Sequence, residues 1–155
     1  MLKISAVLVT LCLALPGAAH ADLKGVVIGV PDGDTLTVLV QHKVLQVRLT
    51  HIEAPEQGQP FRALATRSLV DVCHLRHVTL HHLGIGPERQ VFGRVECDGV
   101  DASAEQVRRG MAWVTDEYER AEPALYSVQS EARAAQRGLW SDAEPIPPWQ
   151  WERQP

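Results

Sequence analysis

Aromatic side chains are only 5% of this 155-residue chain. A binder built on a broad exposed aromatic face, for carbohydrate or protein, is therefore disfavoured. Basic residues are not in excess either: 15 Lys and Arg stand against 19 Asp and Glu, a formal charge of −4. Nonspecific affinity for a polyanion comes mostly from Lys and Arg near phosphates, so the balance argues against a tight, sliding DNA binder. It leaves room for a few positive groups converging on one phosphate. There is no internal repeat and no low-complexity run. The longest apolar run, Ile4 to Leu15, falls short of the ~18 to 20 residues that cross a bilayer, and Pro16 and Gly17 end it.

That run is instead the core of a secretory signal pattern over Met1 to Ala21, with Lys3 before it and Ala19-His20-Ala21 as a small-residue cleavage site. Cys12 is no lipoprotein anchor, because Leu11 stands where a small residue should precede it. The expectation is cleavage before Asp22 and an exported protein, periplasmic or secreted, monomeric and without stable membrane association. With Lys3 gone, 14 Lys and Arg remain against 19 acids, so the formal charge moves from −4 to −5. Residues 22–141 suffice for one domain with a sizeable core but not for two, and 142–155 form a Pro- and Trp-rich tail. Of three cysteines, Cys12 leaves with the signal. Cys73 and Cys97 remain in an oxidising compartment, where a disulfide is expected; the other reading is two separate buried thiols.

Leu23 to Val30, Thr35 to Val40 and Val44 to Ile52 are rich in β-branched and aliphatic residues, parted by Pro31-Asp32-Gly33-Asp34 and Gln41-His42-Lys43. They read as a β-meander. From Gln59 to Cys73 the period becomes helical, with Phe61, Leu64, Ala65, Leu69 and Val72 on one face and Pro60 in the first turn. His77 to Leu83 and Val91 to Cys97 return to strand character around a Gly84 to Gln90 loop. Ser103 with Glu105 and Gln106 suggests a capped helix ending at Gly110, and Met111 to Val114 a short strand. A last helix opens near Pro123, with Leu125, Val128, Ala132, Ala135 and Leu139 on one face and Gly138 as terminator. The tail from Glu144 should be irregular. This order suits an α+β fold, a five-stranded closed barrel with about three helices packed outside it.

Chemistry concentrates in three segments. Asp32-Gly33-Asp34-Thr35 and Glu53-Ala54-Pro55-Glu56 bring clustered acids, enough to hold a hard cation and leave one acid for base chemistry. Arg48 and Phe92-Gly93-Arg94 bring two guanidiniums, suited to a phosphate. These are the parts of a metal-assisted phosphodiesterase. The plain alternatives are a tight turn at Asp32-Gly33-Asp34, solvated loop acids at Glu53 and Glu56, and ordinary outward strand charges at Arg48 and Arg94.

Taken in order, Asp32-Gly33-Asp34-Thr35, Val47-Arg48-Leu49, Ile52-Glu53-Ala54-Pro55-Glu56, Phe92-Gly93-Arg94, Gly110-Met111-Ala112 and Gly138-Leu139-Trp140 resemble the thermonuclease, or staphylococcal-nuclease-like, family. The resemblance runs from about Leu23 to Trp140. It implies an OB-fold barrel and a calcium-dependent endonuclease acting on DNA and RNA to leave 3′-phosphate and 5′-hydroxyl ends. It makes Asp34, Glu53 and the main-chain carbonyl of Ala54 the calcium ligands, with Asp32 beside the metal. Glu56 becomes the general base, and Arg48 and Arg94 the phosphate-holding arginines. The family usually has Asp where this chain has Glu53, so a different divalent cation is also open; Gln90 and Phe92 stand where Asp and Tyr are common. The rival reading is an OB-fold nucleic-acid-binding module weakened in catalysis.

Other clusters read plainly. If His77 to His81 is extended, those two rings start about 13 Å apart at ~3.3 Å per residue and His82 points the other way, so with His74 they form no zinc site and are expected to be solvated. Arg108-Arg109 reads as a favourable contact with a helix C-terminus. Trp113 and Tyr118 suit either base stacking or packing.

Overall fold

The computed structural model describes residues 22–115 and 122–151. The expected signal segment and Tyr118 lie outside the described residues. The meander forms as β1 (Leu23–Gly29), β2 (Thr35–Val40) and β3 (Lys43–Leu49). Its β2–β3 pairing runs from Val40↔Lys43 to Thr35↔Arg48 around a tight turn where Gln41 takes φ 55. The third strand stops at Leu49 rather than running to Ile52. His51 has φ 69, which breaks the extended backbone, and Ile52–Glu53 becomes a separate two-residue strand, β4. β4 pairs antiparallel with Trp113–Val114.

β5 (His77–Ile85) pairs with β1, and β6 (Val91–Cys97) pairs with β5. A bulge between His81 and Gly84, with His82 at φ 50, lets β5 continue to Ile85, past the expected end at Leu83. β6 then lies parallel to β3, through Val47↔Val91, Arg48↔Phe92 and Leu49↔Gly93. That pair closes a five-stranded barrel of the OB type, and closure removes the sheet edges that would otherwise need protection. The two-residue β7 (Val100–Asp101) adds to β6, and Trp113–Val114 is β8. The barrel is filled by alternate residues, among them Val27, Leu36, Val38, Val47, Leu49, Val78, Leu80 and Val95, all buried, as the period-two rule requires.

Helices α1 (Arg62–Cys73), α2 (Ala102–Arg108) and α3 (Pro123–Ala134) pack outside. α1 starts three residues later than the Gln59 start expected, because Phe61 sits at its N-cap with φ 67. It buries Ala65, Ser68, Leu69, Val72 and Cys73, whereas Leu64, expected on that face, is exposed. α2 is capped by Asp101, whose Oδ1 accepts the Ala104 N–H at 3.0 Å, and not by Ser103. Ser103 instead donates its hydroxyl to the Thr50 carbonyl. α3 ends at Ala134, so Ala135 and Leu139 fall beyond it, and Gly138 opens a 3-10 turn rather than closing the helix. The tail is not irregular throughout: Pro148–Trp151 makes one helical turn, α4, with Pro148 buried.

Cys73 and Cys97 are joined, with Cα atoms 5.3 Å apart and a sequence separation of 24. The bridge ties the end of α1 to the end of β6. A second pin explains two of the sequence motifs. Gly110 and Gly138 both have positive φ, and a Cβ on Gly110 would sit 2.1 Å from the Arg137 carbonyl oxygen. The Leu139 N–H donates to the Gly110 carbonyl at 2.8 Å. Two turns thus press backbone to backbone, where only glycine fits, and they set Trp140 edge-on to Trp113, ring centres 5.7 Å apart.

Candidate active site

Asp34 ends the turn between β1 and β2, and that turn is clamped from several directions. The Leu49 N–H donates to the Asp34 carbonyl. Buried Gln106 of α2 donates from Nε2 to the Gly33 carbonyl at 2.7 Å and to the Ala65 carbonyl at 3.0 Å. Gly33 itself admits no side chain, since a Cβ there would lie 2.7 Å from both Ala54 and Ala65 Cβ atoms. The glycine of the Asp32-Gly33-Asp34 turn is therefore a packing requirement of the site as much as a turn requirement.

Held this way, the Asp34 carboxylate is only 4% exposed. Its Oδ2 accepts the Ala54 N–H at 2.9 Å and lies 3.5 Å from an Arg48 guanidinium nitrogen. Oδ1 accepts the Thr35 hydroxyl at 3.1 Å. Asp32 turns inward to accept the Asp34 N–H through Oδ1 at 3.2 Å. Burial pushes the Asp34 carboxyl up to about 6, opposed by the Arg48 charge and the Ala54 N–H and reinforced by the Asp32 charge. Desolvation outweighs the guanidinium, although the pair is in salt-bridge range. A buried acid of this kind gains most from a cation beside it.

The Asp34–Ala54 bond also fixes the second acidic segment. Glu53 and Ala54 sit at the end of β4, and Glu56 follows in a turn closed by the Gln59 N–H on the Glu56 carbonyl at 3.0 Å. The structure therefore brings Asp32, Asp34 and the Ala54 backbone together, with Glu53 one residue before Ala54 at the end of β4 and Glu56 two residues after it. Among the described residues no group of three or more His, Cys, Asp and Glu side chains could hold a metal ion. A cation placed at Asp34 and Glu53 must complete its shell from main-chain carbonyl, water and substrate oxygens. That donor set is all oxygen, which fits a hard cation of the calcium or magnesium kind and not a thiolate- or imidazole-loving one.

The closing strand pair delivers the arginines. Arg48 opposes Phe92 across β3 and β6, and Arg94 lies two residues further along the same outer face. With strands ~4.8 Å apart and ~3.3 Å per residue, the two arginine Cα atoms are about 8 Å apart, close enough for both guanidiniums to reach one phosphodiester. Arg94 is held by acids, its Nε 2.9 Å from Asp101 Oδ2 and its terminal nitrogen 3.9 Å from Glu96. Asp101 thus caps α2 with one oxygen and aims Arg94 with the other. Sequence reading overlooked this residue, although an Asp three positions before Ala104 is a capping signal.

The remaining clusters resolve differently from expectation in two places. His81 is not solvated: its Nδ1 lies 2.9 Å from Asp22 Oδ1 and its Nε2 3.6 Å from Glu96 Oε2. Arg108 and Arg109 both bind Glu105, at 2.6 Å each, instead of resting on the helix dipole alone. Trp113 is buried and packs against Trp140.

The fold is an OB-type barrel with Arg48 and Arg94 on its closing strands and a buried acid in the adjoining turn. Residues 46–142 match the family described as staphylococcal nuclease homologue, and the chain belongs to that family. It is similar to an uncharacterized endonuclease of Escherichia coli, 38% identical over 132 residues, 84% of this chain and 86% of the relative. A micrococcal nuclease of Shigella flexneri is 34% identical over 164 aligned positions, 98% of this chain and 92% of the relative. An uncharacterized endonuclease of Haemophilus influenzae is 36% identical over 129 residues, 83% of this chain and 72% of the relative. The protein is a nuclease, a hydrolase whose substrate is nucleic acid. Nucleases of this family are in general metal-dependent.

Proposed function

We propose that the protein is an exported, calcium-dependent endonuclease that hydrolyses DNA and RNA to 3′-phosphate and 5′-hydroxyl ends. The observation that carries this reading is the buried Asp34 carboxylate, raised to about 6, clamped against Ala54 and facing Arg48. A binding module has no need of an acid, Glu56, beside two phosphate-binding arginines, Arg48 and Arg94, so the weakened-binder reading is the lesser one.

Asp34, Glu53 and the Ala54 carbonyl would hold the ion, with Asp32 fixing the Asp34 backbone. When bound, the ion supplies Lewis-acid polarisation of the phosphate and a template for the attacking water. The chain's own groups do the rest. Arg48 and Arg94 donate paired hydrogen bonds to the phosphate oxygens, whose charge grows in the transition state, and planar guanidiniums suit this better than ammonium groups. Glu56 accepts the proton from the attacking water. Water attacks phosphorus in line, the P–O5′ bond breaks, and the departing 5′ oxygen takes a proton from solvent water to become the hydroxyl end, the phosphate remaining on the 3′ side. The export reading rests on the Met1 to Ala21 pattern, and the disulfide fits an oxidising compartment.

The test is the alanine series. Arg48→Ala, Glu56→Ala and Arg94→Ala should each lower turnover on a defined oligonucleotide at least ~10²-fold, the scale of losing a general base or an oxyanion donor. A folded variant that keeps near-normal turnover removes its residue from the proposed machinery.

A further inference from the structure

The turn that carries Glu56 has a support that comes from the far end of the chain. Gln59 is buried, 6% exposed. Its side-chain Oε1 accepts the Glu56 N–H at 2.9 Å, while its Nε2 donates to the carbonyl of Ile146 at 2.6 Å. Ile146 lies 87 residues away in the tail. Around this amide, Pro60 and Phe61 on one side and Ile146 and Trp151 on the other line a small apolar cleft. The Trp151 backbone N–H donates to the Pro147 carbonyl, closing the α4 turn, and Pro148 is buried. The tail is docked as a built element.

The chemistry of the position is specific. One planar amide must offer an acceptor at one end and a donor at the other, without charge, in a buried place. A leucine would strand both the Glu56 N–H and the Ile146 carbonyl, each an unsatisfied buried group. A glutamate keeps the acceptor for Glu56 but loses the donor to Ile146 and buries a negative charge. A support needed only for the tail would not have to end on the backbone of Glu56.

We propose that Gln59 is a positioning residue for Glu56, and that the tail segment 145–151 is the anchor that holds it. The proposal rests on the reading of Glu56 as the general base. Asp34, Arg48 and Arg94 are fixed by β3, β6 and the Asp32-Gly33-Asp34 turn, none of which bonds to Gln59. Loosening the strut therefore misplaces the base and leaves phosphate binding in place. A misplacement of about 1 Å costs on the order of 10²-fold in rate.

The experiment uses the full chain and compares Gln59→Leu, Gln59→Glu, Trp151→Ala and Glu56→Ala on one oligonucleotide, with folding followed by circular dichroism. Gln59→Leu and Trp151→Ala should each lower kcat about 10- to 100-fold with KM within about 3-fold. Gln59→Leu added to Glu56→Ala should cost nothing further, which a merely structural role would not give. If Gln59→Leu fails to fold, Gln59→Glu and Trp151→Ala carry the same expectation. Undiminished kcat in the folded strut variants, beside an inactive Glu56→Ala, overturns the strut alone. So does an equal fold loss from Gln59→Leu in both backgrounds. An active Glu56→Ala removes the general-base reading and this proposal with it.

Discussion

Asp34 sets the pH behaviour of the site. Its carboxyl is raised from 3.8 to about 6, chiefly by burial. The folded protein therefore holds this proton more tightly than the unfolded chain does. The stability this confers is fully present below 3.8 and is lost as pH rises through about 6. Above that pH the ionised, buried carboxylate is offset best by a bound cation. Added Ca²⁺ should thus raise the melting temperature at pH 8 and hardly at pH 4.5, and Asp34→Asn should abolish the difference. An equal calcium shift at both pH values, or one that survives in Asp34→Asn, would remove Asp34 from the metal site. Asp34, Arg48, Glu56 and Arg94, the residues of the proposed site, lie in short local motifs that the sequence displays. Asp101 and Gln59 could not, since each acts through a partner that only the closed barrel or the docked tail brings near. Arg94 and Asp101 meet because β7 folds back on β6. Gln59 meets Ile146 only after the whole domain has formed.

Elements were legible where hydrophobic period alone decides them, as in β2 and β6, and less so where backbone torsions intervene, as at the Phe61 start of α1. The apolar residues of the third strand continue through Ile52, but His51 at φ 69 ends it. That break matters, because it lets β4 leave the barrel, pair with β8 and bring the Ala54 N–H to the Asp34 carboxylate. The bulge at His82 lengthened β5 for the same kind of reason, a torsion that apolar alternation does not encode. The Gly110 and Gly138 motifs were visible but their reason was not. They are one contact, with the backbones too close for any Cβ. Gly110→Ala should accordingly lower stability by at least about 2 kcal/mol, ~5 °C or more in melting temperature, by strain at positive φ and collision with Arg137. A melting temperature within ~1 °C of the parent would show that the two turns can separate without loss.

At the scale of the molecule, the site is a meeting of three supports: a barrel closed by β3 and β6, helices that press Gly33 and cap at Asp101, and a tail that reaches Glu56 through Gln59. The Cys73–Cys97 bridge joins the first two by tying α1 to the strand that carries Arg94. Its closed loop has 24 residues of separation, for which chain entropy gives roughly 3 to 4 kcal/mol. Mass spectrometry of unreduced protein should find no free thiol at Cys73 or Cys97. Reduction should lower the melting temperature while leaving low-temperature activity largely intact, since neither cysteine belongs to the chemistry. Two alkylatable thiols in the native protein would contradict the bridge.

The central claim, that Asp34 and Glu53 hold a cation beside two arginines and a base, is tested most directly by one measurement. Purified protein lacking residues 1–21 is incubated with linear DNA and with RNA in Ca²⁺, Mg²⁺, Mn²⁺ or excess EDTA, and the new ends are identified. The account predicts cleavage of both polymers with a divalent cation, strongest with Ca²⁺, to 3′-phosphate and 5′-hydroxyl ends, and none in EDTA. Full cleavage in EDTA, or binding without cleavage under every cation, would contradict it.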